Sequence, residues 1–326
     1  MISFELGVED LADTRFALSP LGETVLSLRV LHDPGLSAVH LPWRRAVLGA
    51  LGGLDTGLLM SLVAVRLTLP DFLTPRPTTF APSFADELAT VRRTPPALVR
   101  RDLLATHAPG RLPAPLRAAA TGDDTAVAGL RDTICTLLQR YWEIAVEPLW
   151  PQLRLVAEAD MTYRARRLAM GGARLLFADM HPILRWHDGV LHIDKMLATH
   201  RVRAAGRGLL LIPCAFAHKP APPAGPEEPP SLMYPSRGAA TLWAADPAPA
   251  RSDALVPLLG APRARLLALL AEPLATVELA RRLRVTPSAV SQHLRVLYAA
   301  GLVTRARQGR QVLYRRSPLG DDLTGA

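Results

Sequence analysis

From Thr276 to Arg316 the chain reads TVELARRLRVTPSAVSQHLRVLYAAGLVTRARQGRQVLYRR, and its local signals leave the backbone few choices. The segment TVELARRL predicts a short helix that ends in a tight turn. Thr286 suits an N-cap, because its hydroxyl can accept from an orphan backbone N–H, and Pro287 suits the first helical position after it. Val290, Leu294 and Leu297 then recur at i, i+4, i+7, a stripe for burial. Ser288, Ser291, Gln292 and Arg295 recur at i, i+3, i+4, i+7 on another face. Downstream, Val303–Arg307 and Gln311–Arg316 predict strands joined by a turn over Gln308, Gly309 and Arg310.

The second face is small, polar or cationic, as a helix needs to enter a major groove and meet base edges and phosphates. Gln292 can pair bidentately with adenine, and Arg295 can reach guanine or phosphate from the same side. His293 is a weaker candidate, since it lies i+3 from Val290 and turns partly inward. Arg305, Arg307, Arg310, Arg315 and Arg316 fall within twelve residues, a density suited to a phosphate backbone or a minor groove. Taken alone, the hairpin could equally be a solvated basic edge strand, since charge protects exposed sheet edges. Behind a capped helix of this kind it reads as a wing. The candidate contacts to double-stranded DNA are Thr286, Ser288, Ser291, Gln292, His293, Arg295, Arg305, Arg307 and Arg310, and the passage looks like a winged helix-turn-helix.

Leu259–Leu270 (LGAPRARLLALL), Val277-Glu278-Leu279-Ala280, Ser288–Leu294 (SAVSQHL) and Ala300-Gly301-Leu302-Val303 together resemble the ArsR/SmtB-type bacterial repressors over about the last 70 residues. The preceding part is similar to an N-terminal domain of uncharacterised role fused to some bacterial members, through Arg15–Glu23 (RFALSPLGE), Trp186–Leu191 (WHDGVL) and Tyr234–Gly238 (YPSRG). The resemblance implies a homodimeric repressor on an imperfect palindrome, released by an effector. It also implies that metal-sensing members would carry cysteines just before the Glu-Leu-Ala, where this chain has Ala275 and Val277. The other familiar metal site needs Asp and His near the C-terminus, and Ser317–Ala326 has no His. Thiolate metal sensing requires soft sulfur ligands close together, so it is not expected here. Arg284 stands where the family often has glycine; a left-handed backbone there would cost about 1 kcal/mol. Family members complete their dimer interface with a C-terminal helix. The tail here is short and contains Pro318 and Gly320, so the expectation is that the N-terminal domain helps to dimerise, together with apolar Leu255, Val256, Leu258 and Leu259.

Charge placement agrees with a DNA-binding C-terminus. Residues 252–326 hold 11 Arg and 5 acids, a net of +6, whereas the other 251 residues are only +3. Placement outweighs abundance here, because 36 of the 38 basic residues are Arg and an Ala-, Leu- and Pro-rich composition points to a GC-rich genome. The acidic N-terminus lacks the features of a secretory signal, and two cysteines suggest no disulfide framework. A cytoplasmic protein is expected. Ala46–Val65 is apolar, but Gly49, Gly52, Gly53 and Gly57 with Asp55 read as one helix ending and another being capped rather than as a membrane span.

At this length two domains are expected: 1–243, a helical domain with a small antiparallel sheet for sensing or dimerisation; a linker, 244–251; and the winged helix, 252–326. The fold class is α+β, mainly α. Helices are predicted from Ser19-Pro20 onward, then near Arg44–Leu51, Asp55–Arg66, Phe84–Arg93, Pro96–Thr106, Asp123–Val146 and Asp160–Ala178. Strands are predicted at Ile183–Trp186, Val190–Ile193 and Gly208–Phe216, with short ones at Met233-Tyr234 and Leu242-Trp243, and residues 220–230, with six prolines, predict an irregular loop.

No phosphate loop, dinucleotide fingerprint, zinc-protease helix or nucleophile elbow occurs in the first 243 residues, so no enzymatic activity and no cofactor are expected. His181, His187, His192 and His200 crowd together without a ligand spacing. Trp142, Trp150, Trp186 and Trp243 with Tyr141 and Tyr163 could line an apolar ligand pocket, although core packing is the ordinary role of such residues. Arg164, Arg166, Arg167 and Arg174 read as a solvated helix face. The sequence therefore predicts a DNA-binding regulator that could respond to a small apolar ligand. The alternative is an enzyme or protein-interaction domain tethered to a winged helix, without an effector.

Overall fold

A computed structural model describes residues 1–223, 225, 227–243, 252–308 and 311–324. The chain is α+β and predominantly helical, and it divides into two units, Met1–Trp243 and Ala244–Ala326. The expected linker, 244–251, lies outside the described residues.

The first unit begins β1 (Ile2–Glu5), α1 (Val8–Ala12), β2 (Arg15–Phe16), α2 (Pro20–His32), α3 (Leu41–Ala50), α4 (Thr56–Ser61) and α5 (Phe84–Arg92). It continues through α6 (Pro96–His107), α7 (Ala114–Ala120), α8 (Asp124–Ala145) and α9 (Trp150–Phe177). β3 (Leu184–His187), β4 (Val190–Ile193), β5 (His200–Arg203), β6 (Leu210–Cys214) and β7 (Ser231–Pro235) complete it.

The organising element is α2. Ser19 caps it by accepting from Gly22 N at 2.9 Å, and Pro20 fills the first position. Every residue from Pro20 to Leu31 is buried, as befits a helix surrounded on all sides. Several of its polar groups are satisfied internally. Thr24 and Ser27 donate to Pro20 O and Thr24 O, both at 2.7 Å, and Glu23 accepts from Ala215 N and Phe216 N at 2.6 and 3.0 Å. Helices α3, α4, α5 and α8 pack on it and α6 and α7 pack on α8, and Trp142 of α8 stacks on Phe84 of α5 with ring centroids 4.7 Å apart. Tyr141 and Trp142 are thus core residues, and each fully buried side chain of this size stabilises by about 1.5–3 kcal/mol.

The sheet expected to be antiparallel is mixed. Its order is β3-β4-β1-β5, with β1 antiparallel to β4 and parallel to β5, and a second sheet, β2-β6-β7, is wholly parallel. Parallel pairing needs a long crossover, and the helical body between β2 and β6 provides one. The predicted β3–β4 hairpin is present, with Asp188 and Gly189 at φ 47° and 75°. Leu242-Trp243 is not a strand: a 3₁₀ turn covers Ala239–Leu242, and Trp243 Nε1 donates to buried His40 Nδ1 at 3.0 Å.

Helix α4 is shorter than its apolar run. Asp55 caps it, accepting from Gly57 N at 3.1 Å, and the chain leaves helical geometry after Ser61. Among the described residues no helix is long and apolar enough to cross a membrane.

Arg164 corrects the expectation of a solvated face. Helix α9 breaks at Gly171 and Gly172, the latter at φ 63°, and the fully buried Arg164 spans that break. Its guanidinium pairs with Asp179 and lies 3.6 Å from Asp160, itself fixed by Tyr234 Oη at 2.6 Å and Arg237 N at 3.1 Å.

The second unit runs α10 (Ser252–Leu259), α11 (Ala261–Leu269), β8 (Leu274–Ala275), α12 (Thr276–Leu283), α13 (Pro287–Ala299), β9 (Val303–Gln308), β10 (Gln311–Arg316) and α14 (Pro318–Thr324). The C-terminal helix thought to be missing is α14. Pro318 starts it, and Gly320 lets it lie against Leu302 O, where a Cβ would overlap.

Candidate nucleic-acid interface

Helix α12 ends at Arg284, which adopts the left-handed conformation (φ 54°, ψ 43°) while Val285 N bonds Ala280 O at 3.0 Å. The turn that glycine would make freely is thus made by arginine at about 1 kcal/mol. Two residues on, Thr286 is the N-cap of α13, accepting from Ala289 N at 3.3 Å, with Pro287 at the first helical position.

Val290, Leu294 and Leu297 are fully buried against Leu266, Leu267, Leu270, Leu279 and Leu302. Their burial fixes the rotation of the helix, so Ser288, Ser291, Gln292 and Arg295 are turned to solvent and are exposed. Thr286 is exposed beside them. His293 is half-buried and lines a small cavity of about 180 Å³ with Pro262, Arg265 and Val290, apart from the exposed strip.

The hairpin pairs Val303 with Arg316, Arg305 with Tyr314, and Arg307 with Val312. Opposed residues share a face and alternate residues switch faces. Arg305 and Arg307 therefore lie on one side and Arg315 on the other, which divides a cluster that proximity in sequence had grouped. Arg305 and Arg307 are exposed, and the Arg305 guanidinium lies 4.5 Å from the centroid of the Tyr298 ring. This contact ties the wing to α13; the aromatic at Tyr298, i+3 from Arg295, was its overlooked signal. Arg316 is turned inward to Asp321 at 2.9 Å and Thr324 at 2.7 Å. Arg310 lies outside the described residues.

Behind the turn, Glu278 accepts from Arg281 at 3.0 Å and Arg282 at 2.8 Å, and these hydrogen bonds hold its carboxyl below the ordinary range. The pairs partly neutralise α12, leaving α13 and the wing as the cationic surface. At the family's thiolate positions, Ala275 and Val277 offer no ligand atoms. Cys135 and Cys214 are buried in the first unit, where burial pushes both thiols up. Among the described residues no group of three or more His, Cys, Asp or Glu is placed to hold a metal ion. His192 and His200 sit on β4 and β5, whereas His187 is an exposed hairpin residue.

The family model described as "Bacterial regulatory protein, arsR family" matches residues 263–305, from the first turns of α11 to the first strand of the wing. The second unit carries an ArsR-type helix-turn-helix. No curated protein and no solved structure matches the chain. The ArsR-type match assigns the C-terminal region to DNA-binding transcription regulation and double-stranded DNA as its partner.

Proposed function

We propose that the protein is a sequence-specific repressor that binds operator DNA as a homodimer, acting by binding rather than catalysis, with its N-terminal unit taking up a small effector that is not a thiolate-bound metal. The observation that carries this reading is the exposed strip Ser288, Ser291, Gln292, Arg295 on a helix whose opposite stripe is fully buried. A helix about 10–12 Å across fits a major groove about 12 Å wide. In that pose Thr286 and Ser288 meet the backbone at the helix N-terminus, Gln292 and Arg295 reach base edges, and Arg305, Arg307 and Arg310 follow phosphates. One helix reads too few base pairs for genomic specificity, so two copies on half-sites about one turn apart are required. Leu258 on α10 and Leu319 on α14, 69% and 55% exposed on helices that both pack against α11, offer apolar surface to a second copy.

Selection of bound fragments from genomic DNA, followed by titration of Gln292→Ala against the selected site, tests the readout. A loss of about 1–3 kcal/mol with relaxed preference at one base is expected; unchanged affinity and preference would remove α13 as the reader. Sedimentation tests the assembly: a dimer that Leu258→Glu weakens is expected, and a full-length monomer at micromolar concentration would exclude it.

A further inference from the structure

Beside Pro222 and Pro223 of the first unit lies a cavity of about 70 Å³ lined by both charged and apolar side chains. Leu26, Leu69, Ile212 and Met233 line it together with Arg29, Arg76, Asp71 and Glu228. The roof is well anchored. Ala221 and Met233 exchange backbone hydrogen bonds at 2.8 and 3.2 Å, and Arg76 Nη1 donates to Pro229 O and Pro230 O at 3.0 and 2.9 Å. Prolines suit such a roof, because they hold a fixed backbone and bring no N–H that must be satisfied.

Arg29 is the unusual member. It projects from the central helix α2, is 8% exposed, and its Nε and Nη1 have no hydrogen-bond partner among the described residues. Enclosed donors of a charged group are costly to leave unmatched, and burial pushes this guanidinium down to about 10, with Asp71 opposing the shift. Elsewhere in the unit, Glu23 and Glu87 accept from backbone N–H groups, and Arg164, whose Nε and Nη2 also have no hydrogen-bond partner, is paired through Nη1 with Asp179. An anion in the cavity would give Arg29 what Asp179 gives Arg164.

We propose that this cavity binds a short-chain monocarboxylate of about two to four carbons, its carboxylate paired with Arg29 and its tail against Leu26, Leu69, Ile212 and Met233. Size limits the chain length: at about 70 Å³ the cavity is small and suits a ligand of few non-hydrogen atoms. Charge sets the valence. Two arginines and two carboxyl groups, Asp71 and Glu228, line the cavity, so its cations are already opposed. A second negative charge on the ligand is disfavoured more than the first, which separates a carboxylate from a phosphate dianion. The proposal rests on the effector reading above and gives that effector a chemical class.

The test titrates full-length protein, with methionines labelled at the methyl carbon, with propionate, propionamide and inorganic phosphate in turn. Saturable movement of the Met233 methyl signal by propionate alone is expected, assigned through Met233→Leu. Arg29→Met should weaken propionate about tenfold or more. Should that variant fail to fold, Arg76→Gln, which removes the second cation, should weaken it in the same direction. Equal response to propionamide would overturn charge pairing, equal response to phosphate would overturn the carboxylate class, and no saturable response to propionate would overturn the site. Operator affinity measured with and without propionate separates the two readings. Propionate binding that leaves operator affinity unchanged keeps the site and removes its regulatory role, whereas intact operator binding without propionate binding removes the site alone.

Discussion

The two units treat charge in opposite ways. The first buries Glu23, Arg29, Glu87, Asp102, Asp160 and Arg164 within its core, whereas the only buried polar residue of the second, among those described, is Ser317. In the second unit the core is a plain cluster of Leu, Val and Ala, and the arginines of the recognition helix and wing are left outside. The difference follows from what each must meet. Phosphate recognition wants cations in solvent, held on a scaffold that does not depend on them. A core with buried ions is expensive unless every partner is in place, so it specifies one arrangement and responds sharply when one partner is removed.

The largest effect that probes this contrast is expected at Arg164. Arg164→Ala leaves Asp160 buried without its cation and should cost the first unit about 3–5 kcal/mol in urea unfolding, whereas Arg295→Ala should leave the melt of the second unit unchanged. A cost at Arg164 no larger than that of a surface substitution would mean that its ion pairs do not hold the α9 break.

Next in size is the wing. Replacing Arg305 and Arg307 together by Ala should weaken binding to all DNA sequences about tenfold and lower the slope of log affinity against log salt by about 0.9 for each lost phosphate contact. Folding should be indifferent to the change. An unaltered slope would place the wing off the DNA.

Smallest is the response to pH, because the buried groups of the first unit oppose one another. Burial raises Glu23 and Glu87 to about 7, so in the folded state they hold protons that the unfolded chain releases above about 4.5; their contribution to stability falls as pH rises through that window. Burial lowers His40 and His218 to about 4, so the unfolded chain binds those protons first, and their contribution grows as pH rises from about 4 to 6.5. Glu87→Gln removes one of the raised carboxyls and should make the slope of unfolding free energy against pH between about pH 4.5 and 6.5 more positive than the parent's by up to about 1.4 kcal/mol per unit. A variant with the parent's slope would show that Glu87 is ionised throughout.

What could be read from the chain beforehand was what is local. Thr286, Pro287 and the stripe Val290, Leu294, Leu297 lie within twelve residues, so cap, helix and exposed face followed from spacing alone. The faces of Arg305, Arg307 and Arg315 are also legible, from strand alternation. Strand β5 (HRVR) was not readable. It carries one apolar residue and exists because Ile2–Glu5 lies beside it. The burial of Arg164 depends on Asp179 beyond a glycine break and on Tyr234 and Arg237 some seventy residues away. Charge in a helical pattern signals solvent unless such distant partners are known.

The place of β1 carries a further consequence, for synthesis. Ile2 is paired with Ile193 on one side and His200 on the other, and Arg15 lies beside Leu210. On a ribosome adding about 5–20 residues per second, β1 therefore waits about 10–40 s for its neighbours. Throughout that interval it is an unpaired strand, open to the same segment on chains being made alongside. Helices α2 to α8 have many apolar contacts among themselves to make meanwhile, but Glu23 of α2 must also wait for Ala215 and Phe216. The ArsR-type unit emerges after the first unit and needs only nearby segments, so a strand translated early is seated late, and the DNA-reading unit has little wait of its own.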